Sequence, residues 1–187
     1  MVMETERLHI RRFRPGDRDD LFEYLSDPEV VRYEPYPAMT RAQVAEEARN
    51  RAKDDSFWAV CLRETRKLIG NLYFCCQEPK EFKTWELGYV FNRAYGGKGY
   101  ATEAARRLVQ YGFGTCGAHR IEARCNPLNA ASWRLLERLD MRREGHMVKQ
   151  AFFRRDELGK PIWNDTYIYA ILAEEWKGCA QDANPKN

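Results

Sequence analysis

The first third of the chain passes from an alternating to a helical pattern of apolar positions. Apolar and polar residues partly alternate from Arg7 to Phe13, which predicts a half-buried strand, and Pro15-Gly16-Asp17 ends it. A helix is expected over the next segment, DRDDLFEYLSD. It ends at Asp27-Pro28, because a residue that precedes proline is pushed out of helical geometry. A second helix is expected over about Arg41 to Lys53.

The middle of the chain has the pattern of strands followed by a helix. Three strands are predicted, at Phe57 to Arg63, Lys67 to Cys76 and Thr84 to Asn92. Their short polar connections indicate an antiparallel meander. From Gly99 to about Phe113, small and apolar residues recur at helical spacing, which predicts an amphipathic helix packed on that sheet.

The last third adds a strand, a helix and two strands. These are expected at His119 to Cys125, at Leu128 to Leu139, and near Met141 to Arg154 and Trp163 to Leu172. The complete order is β-α-α-β-β-β-α-β-α-β-β. We therefore predict an α/β (α+β) single domain with a mixed, mostly antiparallel central sheet flanked by helices.

Composition favours one folded domain. The chain has 187 residues, 44% hydrophobic and 32% charged, enough to bury a core without a metal or disulfide. We expect residues 1–176 to form the domain and residues 177–187 a flexible C-terminal tail. No run approaches the roughly 20 apolar residues of a spanning helix, and the charged start MVMETERLHIRRF is unlike a signal peptide. The prediction is a cytoplasmic protein with no membrane partner.

Charge and cysteine patterns exclude two further classes. The formal net charge is only +3 and no basic run stands out, so no nucleic-acid partner is predicted. The six cysteines contain no CxxC pair, and His9, His119 and His146 are far apart in sequence. We therefore expect no metal site.

A glycine-rich junction joins the third meander strand to the amphipathic helix. Its residues are Gly96, Gly97, Lys98, Gly99, Tyr100, Ala101 and Thr102. Free N–H groups at a helix start, together with the helix dipole, favour an anion, and Lys98 would add a positive charge. The segment is therefore a candidate phosphate cradle, and a sharp structural turn is the alternative.

Spacing excludes two familiar phosphate loops at this junction. A P-loop needs glycine four residues before its Gly-Lys pair and Ser or Thr after it, where this chain has Asn92 and Gly99. A dinucleotide fingerprint that starts at Gly97 needs Gly or Ala at its last position, where Thr102 stands. The junction follows neither pattern.

The junction resembles the acetyl-CoA loop of the GNAT superfamily of N-acetyltransferases. Gly97-Lys98-Gly99 supply its glycines, and the continuation YATEA is similar to the branch of ribosomal-protein N-terminal acetyltransferases. Further segments resemble that branch in the same order: ETERLHIRRF, LSDPEVVRY, NPLNAASWRLLERLDM and DTYIYAILAEEW. The chain departs from the family at Ala94, which occupies an Arg/Gln position with Arg93 one residue early, and at Leu139-Asp140-Met141, where the family has Leu-Gly-Phe.

The resemblance implies a binding site for acetyl-CoA as cosubstrate. The strand from Trp85 to Asn92 would splay from its neighbour, and the backbone of Tyr89, Val90 and Phe91 would pair with the pantetheine arm. The pyrophosphate would bind the amides from Gly97 to Thr102. Asn129 and Ser132 match positions near the cofactor sulfur, and local helix capping is the alternative for both.

Direct acetyl transfer to a primary amine needs a base, a polarised carbonyl and a proton for the thiolate. Glu86 is the first choice for the base. The alternative for Glu86 is a solvated or salt-bridged carboxylate on a strand, with no catalytic role. A backbone N–H near Val90 or Phe91 would polarise the carbonyl, and Ser132 would protonate the sulfur. Those are the main assignments. Tyr89 and Tyr167 are second choices for the proton donor, and Glu144 and His146 are held in reserve.

The acceptor amine is left open by the sequence. It is a protein N-terminus or a small molecule such as a polyamine or an amino sugar, chosen by residues in Asp27 to Pro37 and Val148 to Trp163. The alternative function is a non-catalytic module that binds or senses acyl-CoA. A homodimer is plausible by the same resemblance.

Overall fold

The computed structural model describes residues 2–178, which form eight strands and four helices longer than one turn. The strands are β1 (Val2–Glu4), β2 (Leu8–Arg11), β3 (Phe57–Leu62), β4 (Leu68–Cys76), β5 (Thr84–Phe91), β6 (Arg120–Cys125), β7 (Arg142–Arg155) and β8 (Pro161–Leu172). The helices are α1 (Arg18–Leu25), α2 (Arg41–Arg51), α3 (Tyr100–Gly114) and α4 (Ala130–Arg138). None of these helices has the length and apolar character needed to cross a bilayer.

The strands form one sheet in the order β1-β2-β3-β4-β5-β6-β8-β7. All neighbours are antiparallel except β5 and β6, which run parallel. The predicted fold class, a mixed and mostly antiparallel sheet flanked by helices, is confirmed. The sequence prediction missed β1, because three residues that gain their order by pairing with β2 carry too little alternation to be recognised.

The two faces of the sheet are covered by different pairs of helices. Helices α3 and α4 bury residues such as Leu108 and Leu136 in the larger apolar cluster. Helices α1 and α2 bury Leu21, Tyr24 and Val44 in a second cluster that includes Val90. Side chains alternate between faces along a strand, so Glu86, Gly88 and Val90 face α1 and α2, whereas Leu87 and Tyr89 face α3 and α4.

The C-terminal end of the fold reaches Trp176. Its ring lies 6.0 Å from that of Phe113 on α3, centroid to centroid. Of the predicted flexible tail, residues 177–187, only Lys177 and Gly178 are within the described residues. The tail therefore stays a prediction.

Strands β5 and β6 pair only at their start. The ladder joins Thr84 to Arg120, Trp85 to Ile121 and Glu86 to Glu122, and goes no further. From Leu87 onwards β5 continues alongside β4, while β6 continues alongside β8. The sheet is therefore open between the far halves of β5 and β6.

Candidate functional site

A cleft of about 1270 Å³ occupies the opening in the sheet. Its walls come from the far half of β5, the start of α3, one side of α4, the end of β6, and the segment that connects α1 to α2. The predicted site residues that line it are Glu86, Tyr89, Val90, Phe91, Gly96, Gly97, Gly99, Tyr100, Ala101, Thr102, Asn129 and Ser132. The fold thus brings together almost all of the predicted site.

Beyond Leu87, one side of the β5 backbone forms no ladder with another strand among residues 2–178, and that side faces the cleft. Asn92 donates its N–H to the carbonyl of Ile69 on β4 at 2.9 Å, and Val90 pairs with Asn71 in the same register. Because alternate residues of a strand direct their backbone groups to opposite sides, those of Leu87, Tyr89 and Phe91 point away from β4. Of the three residues predicted to bind pantetheine through the backbone, Tyr89 and Phe91 face the cleft, whereas the backbone of Val90 belongs to the β4 ladder.

Six consecutive backbone N–H groups at the start of α3 have no hydrogen-bond acceptor among residues 2–178. Glu103 donates to the carbonyl of Gly99 at 3.0 Å, and the amides from Gly97 to Thr102 donate to no acceptor within residues 2–178. Gly97 and Gly99 have φ of +74° and +80°, a left-handed backbone that glycine adopts without strain. A Cβ on Gly97 would meet no atom within 4 Å. Backbone donors and the positive end of the helix dipole thus converge on open space.

The one acid in the first turn of α3 is neutralised. Arg7 donates Nε to Glu103 at 2.7 Å, and Thr5 donates its hydroxyl to the same carboxylate at 2.5 Å. The guanidinium of Arg7 also donates to the carbonyl of Lys98 at 3.0 Å. These contacts hold the negative charge of Glu103 away from the free amides, so the helix start remains attractive to an anion.

Arginines supply the cationic side chains that line the cleft. Lys98 is exposed, between Gly97 and Gly99, and is not among the residues that line the cleft, so its contribution to anion binding stays a prediction. Arg93 and Arg138 do line it. Arg138 on α4 donates Nε to the hydroxyl of Thr102 at 3.3 Å, so it joins α4 to the free amides of α3.

A polar pair lies on the α4 side of the cleft. The hydroxyls of Tyr89 and Ser132 are 2.9 Å apart. Asn129 caps α4 by accepting the N–H of Ser132 at 3.2 Å, so local capping accounts for its side chain. Burial raises the pKa of Tyr89 well above its ordinary value and that of the neighbouring Cys125 thiol to about 11. At neutral pH both groups therefore keep their protons.

Two of the carboxyl groups on the α1 and α2 side of the cleft, those of Glu86 and Glu34, have a raised pKa. Burial raises the pKa of Glu86 above its usual range, with Arg124 opposing and Glu122 reinforcing the shift. Burial also raises the pKa of Glu34 to about 7, against the guanidinium of Arg51. Both carboxyl groups exchange protons nearer to neutral pH than an exposed glutamate does.

The two reserve residues, Glu144 and His146, and the second-choice proton donor Tyr167 are not among the residues that line the cleft. Glu144, His146 and Tyr167 line a separate shallow pocket on β7 and β8. Glu144 forms ion pairs with Arg120 and Arg142, and His146 contacts Asp165 at 2.8 Å. Tyr167 packs its ring against His146. We therefore assign none of the three to the chemistry of the cleft.

Among the charged residues of the cleft, the sequence did not indicate Arg51 and Arg138, and it included Glu34 only within the acceptor segment Asp27 to Pro37. Arg138 follows Ser132 and Leu135 at intervals of three residues, which places all three on one face of α4, so helical spacing carried that signal. Glu34 and Arg51 come from segments with no motif. Their position depends on tertiary packing alone.

The comparisons with known proteins agree with this geometry. Residues 7–142 match the family model described as an acetyltransferase (GNAT) domain. The protein named "Uncharacterized N-acetyltransferase YnaD" from Bacillus subtilis (strain 168) is 39% identical over 177 residues, 94% of this chain and 99% of that protein.

A solved structure and a more distant relative complete the comparison. A GNAT-family acetyltransferase from Bacillus anthracis has a TM-score of 0.85 at 36% identity, covering 94% of this chain and 100% of that one. The ribosomal protein uS5-alanine N-acetyltransferase of Escherichia coli (strain K12) is 27% identical over 113 residues, 60% of this chain and 55% of that enzyme. The chain belongs to the GNAT family and is an acyltransferase of the N-acetyltransferase type.

Proposed function

We propose that this enzyme transfers an acetyl group from acetyl-CoA directly to a primary amine of a small molecule or a peptide. The observation that carries the proposal is the run of six free N–H groups, Gly97 to Thr102, beside the open half of β5. A diphosphate needs several donors without competing acceptors, and this helix start supplies them. The adjacent strand edge suits the amide groups of a pantetheine arm.

The two ends of acetyl-CoA would bind to different parts of the cleft. The diphosphate would accept hydrogen bonds from the amides of Gly97 to Thr102, with the cationic side chains of Arg93 and Arg138 nearby. The pantetheine amides would pair with backbone groups of Tyr89 and Phe91, as an added strand does. When bound, acetyl-CoA supplies the thioester as the acyl donor.

Glu86 is proposed as the base. It lies on β5 at the last pair before the strands separate, and it faces the α1 and α2 side. The acceptor ammonium loses a proton to Glu86, directly or through water, and the free amine attacks the thioester carbonyl carbon. Because burial raises the pKa of Glu86, the carboxylate is a stronger base than an exposed glutamate.

Ser132 is proposed as the proton donor on the opposite face. As the carbon–sulfur bond breaks, the thiolate takes a proton from the hydroxyl of Ser132, which contacts the hydroxyl of Tyr89 at 2.9 Å. Ser132 regains a proton from the nitrogen of the new amide, directly or through water, so no alkoxide is left. A backbone N–H of β5 that faces the cleft, such as that of Phe91, would polarise the carbonyl. Base and acid thus act from the two faces of the open sheet.

The protonation of the Cys125 thiol favours direct transfer over a mechanism through an acyl-enzyme. Cys125 lines the cleft, and burial holds its pKa at about 11. Such a thiol is almost fully protonated at neutral pH and is a weak nucleophile. The hydroxyl of Ser132 contacts a phenol, not a base that would activate it.

Release of free CoA from acetyl-CoA, measured with a panel of primary amines and short peptides, tests the proposal. We expect turnover with at least one amine. Glu86→Gln should then lower kcat by about 10²-fold or more and remove the acidic limb of the pH–rate profile, with acetyl-CoA affinity unchanged. The same measurements on Glu34→Gln provide the comparison, because Glu34 is the other cleft carboxyl group with a raised pKa.

The outcomes separate the alternatives. Loss of the acidic limb in Glu34→Gln, with Glu86→Gln retaining it, would transfer the role of base to Glu34. Tight binding of acetyl-CoA without CoA release for any amine would contradict the enzymatic proposal and support the acyl-CoA sensor.

A further inference from the structure

Two glutamates lie side by side at the last pair of the ladder between β5 and β6. The ladder joins Glu86 to Glu122. Ile121 and Ala123 are buried in the cluster under α3 and α4, so Glu122 faces the opposite side of the sheet, as Glu86 does. Neighbouring strands are about 4.8 Å apart, which makes the two carboxylates close like charges on one face. The fold therefore places a second carboxylate beside the proposed base.

The charges that act on Glu86 come from β6. Burial raises the pKa of Glu86, Arg124 lowers it and Glu122 raises it further. From β4, Cys75 pairs with Glu86, and Tyr73 lies two residues away on the same face. The other charged groups that line the cleft are not among the causes of this shift, and they are Glu29, Glu34, Glu47, Arg51, Arg93, Arg138 and Asp165.

Arg124 is paired with Glu122 and not with Glu86. Its guanidinium lies 3.6 Å from a carboxylate oxygen of Glu122, and it forms no ion pair with Glu86, although both residues line the cleft. A cation in direct contact would hold the carboxyl group of Glu86 in its charged form and would cover the oxygens that accept a proton from the amine. The contact between Arg124 and Glu122 therefore leaves Glu86 available to the acceptor.

The second cation near Glu122 is shared with β7. Arg120 lies 3.6 Å from Glu122, but its closer contact is with Glu144, at 2.5 Å. Glu144 also contacts Arg142 at 2.7 Å. A separation of 3.6 Å exceeds that of a hydrogen bond, so the contacts from β6 neutralise Glu122 only in part. Glu122 thus retains negative charge that acts on Glu86 across the ladder.

We propose that Glu122 is a positioning residue, which holds Arg124 away from Glu86 and maintains the strength of Glu86 as a base. The inference rests on the proposed function, because Glu122 acts only through Glu86. Glu122 is not among the residues that line the cleft. Its negative charge opposes ionisation of the neighbouring carboxyl group, so Glu86 binds the proton of the acceptor ammonium more tightly.

The pH dependence of kcat in Glu122→Gln tests this role, with acetyl-CoA and the amine that gives the highest turnover. Glutamine keeps the size of the side chain, removes the like charge and releases Arg124 towards Glu86. The acidic limb of the profile should move down by about one pH unit, and kcat on the plateau should fall about threefold, because a weaker base accepts the proton less readily. A merely structural role would lower activity or stability without moving the limb.

Two further variants give the sign of the effect and its control. Arg124→Gln removes the opposing cation, so the acidic limb should move up by about half a pH unit. Glu144→Gln removes a carboxylate that contacts Arg120 from β7 but does not pair with Glu86, so the limb should stay in place. An unmoved limb in Glu122→Gln, a downward shift in Arg124→Gln, or equal shifts in Glu122→Gln and Glu144→Gln would overturn the inference.

The profile of Glu86→Gln distinguishes failure of this inference from failure of the proposed function. If Glu86→Gln removes the acidic limb while Glu122→Gln leaves it in place, only the role of Glu122 is refuted. If Glu86→Gln retains the limb, Glu86 is not the base and Glu122 has no base to position. If no amine releases CoA, the proposed function fails as a whole.

Discussion

Residues with a left-handed backbone lie at two helix ends next to the site, where α3 begins and where α4 ends. At the start of α3 they are glycines, and the sequence predicted this turn because a Gly-rich segment marks it. After α4 the left-handed residue is Asp140, with φ of +61°. Met141 donates its N–H there to the carbonyl of Leu136 at 3.1 Å, as in a helix C-terminal cap. Aspartate obscured this turn in the sequence, where glycine would have indicated it.

Replacing Asp140 by glycine should stabilise the protein. The left-handed conformation strains a residue with a Cβ, and a carboxylate at a helix C-terminus opposes the dipole. Asp140→Gly should raise the free energy of unfolding by about 0.5–1 kcal/mol, measured by urea denaturation. Asp140→Ala removes the same charge but keeps the Cβ. If alanine stabilised as much as glycine, charge and not backbone strain would be the cause.

At the level of elements, the two segments expected to choose the acceptor meet across the cleft. Arg154 on β7 donates to the carbonyls of Arg32 at 2.6 Å and Val31 at 3.0 Å. From the other side, the hydroxyl of Tyr33 donates to the carbonyl of Leu128 at 3.3 Å. The segment between α1 and α2, which carries Glu34, is thus held by contacts from residues distant in sequence.

Loss of the Arg154 contacts should weaken acceptor binding selectively. Arg154→Met leaves two backbone carbonyls without their cationic donor, so the segment that carries Glu34 loses its fixed position. We expect the KM for the amine to rise about five- to tenfold, with the Kd for acetyl-CoA unchanged.

The neighbouring arginine provides the control for that variant. Arg155 donates to Gly159 within its own hairpin, at 2.8 Å. Arg155→Met should therefore leave both constants near their original values. An equal rise in amine KM for the two variants would mean that the hairpin as a whole, and not the Arg154 contact, holds the segment.

For the whole molecule, the local pattern of apolar and polar residues predicted the helices and strands. The resemblance to the GNAT family predicted that β5 separates from its neighbour in the sheet. Alternation and helical spacing were sufficient for all of the main elements except β1. Strands β5 and β6 stop pairing after Glu86 because β5 continues along β4 and β6 continues along β8. No local sequence pattern indicates this separation. The positions of Glu34 and Arg51 depend on how α1, α2 and the segment between them pack over the sheet. The acceptor, the homodimer and the cytoplasmic location stay predictions.

Acetyl-CoA affinity of two glycine variants, measured by calorimetry, tests the central claim that the α3 amides bind the diphosphate. Gly97 and Gly117 both have positive φ, +74° and +63°, and a Cβ on either would meet no atom within 4 Å. Only Gly97 lines the cleft. Gly97→Trp should weaken acetyl-CoA binding by about 100-fold, or about 2.7 kcal/mol, whereas Gly117→Trp should bind like the unaltered protein. Unaltered affinity in a folded Gly97→Trp protein would contradict the account.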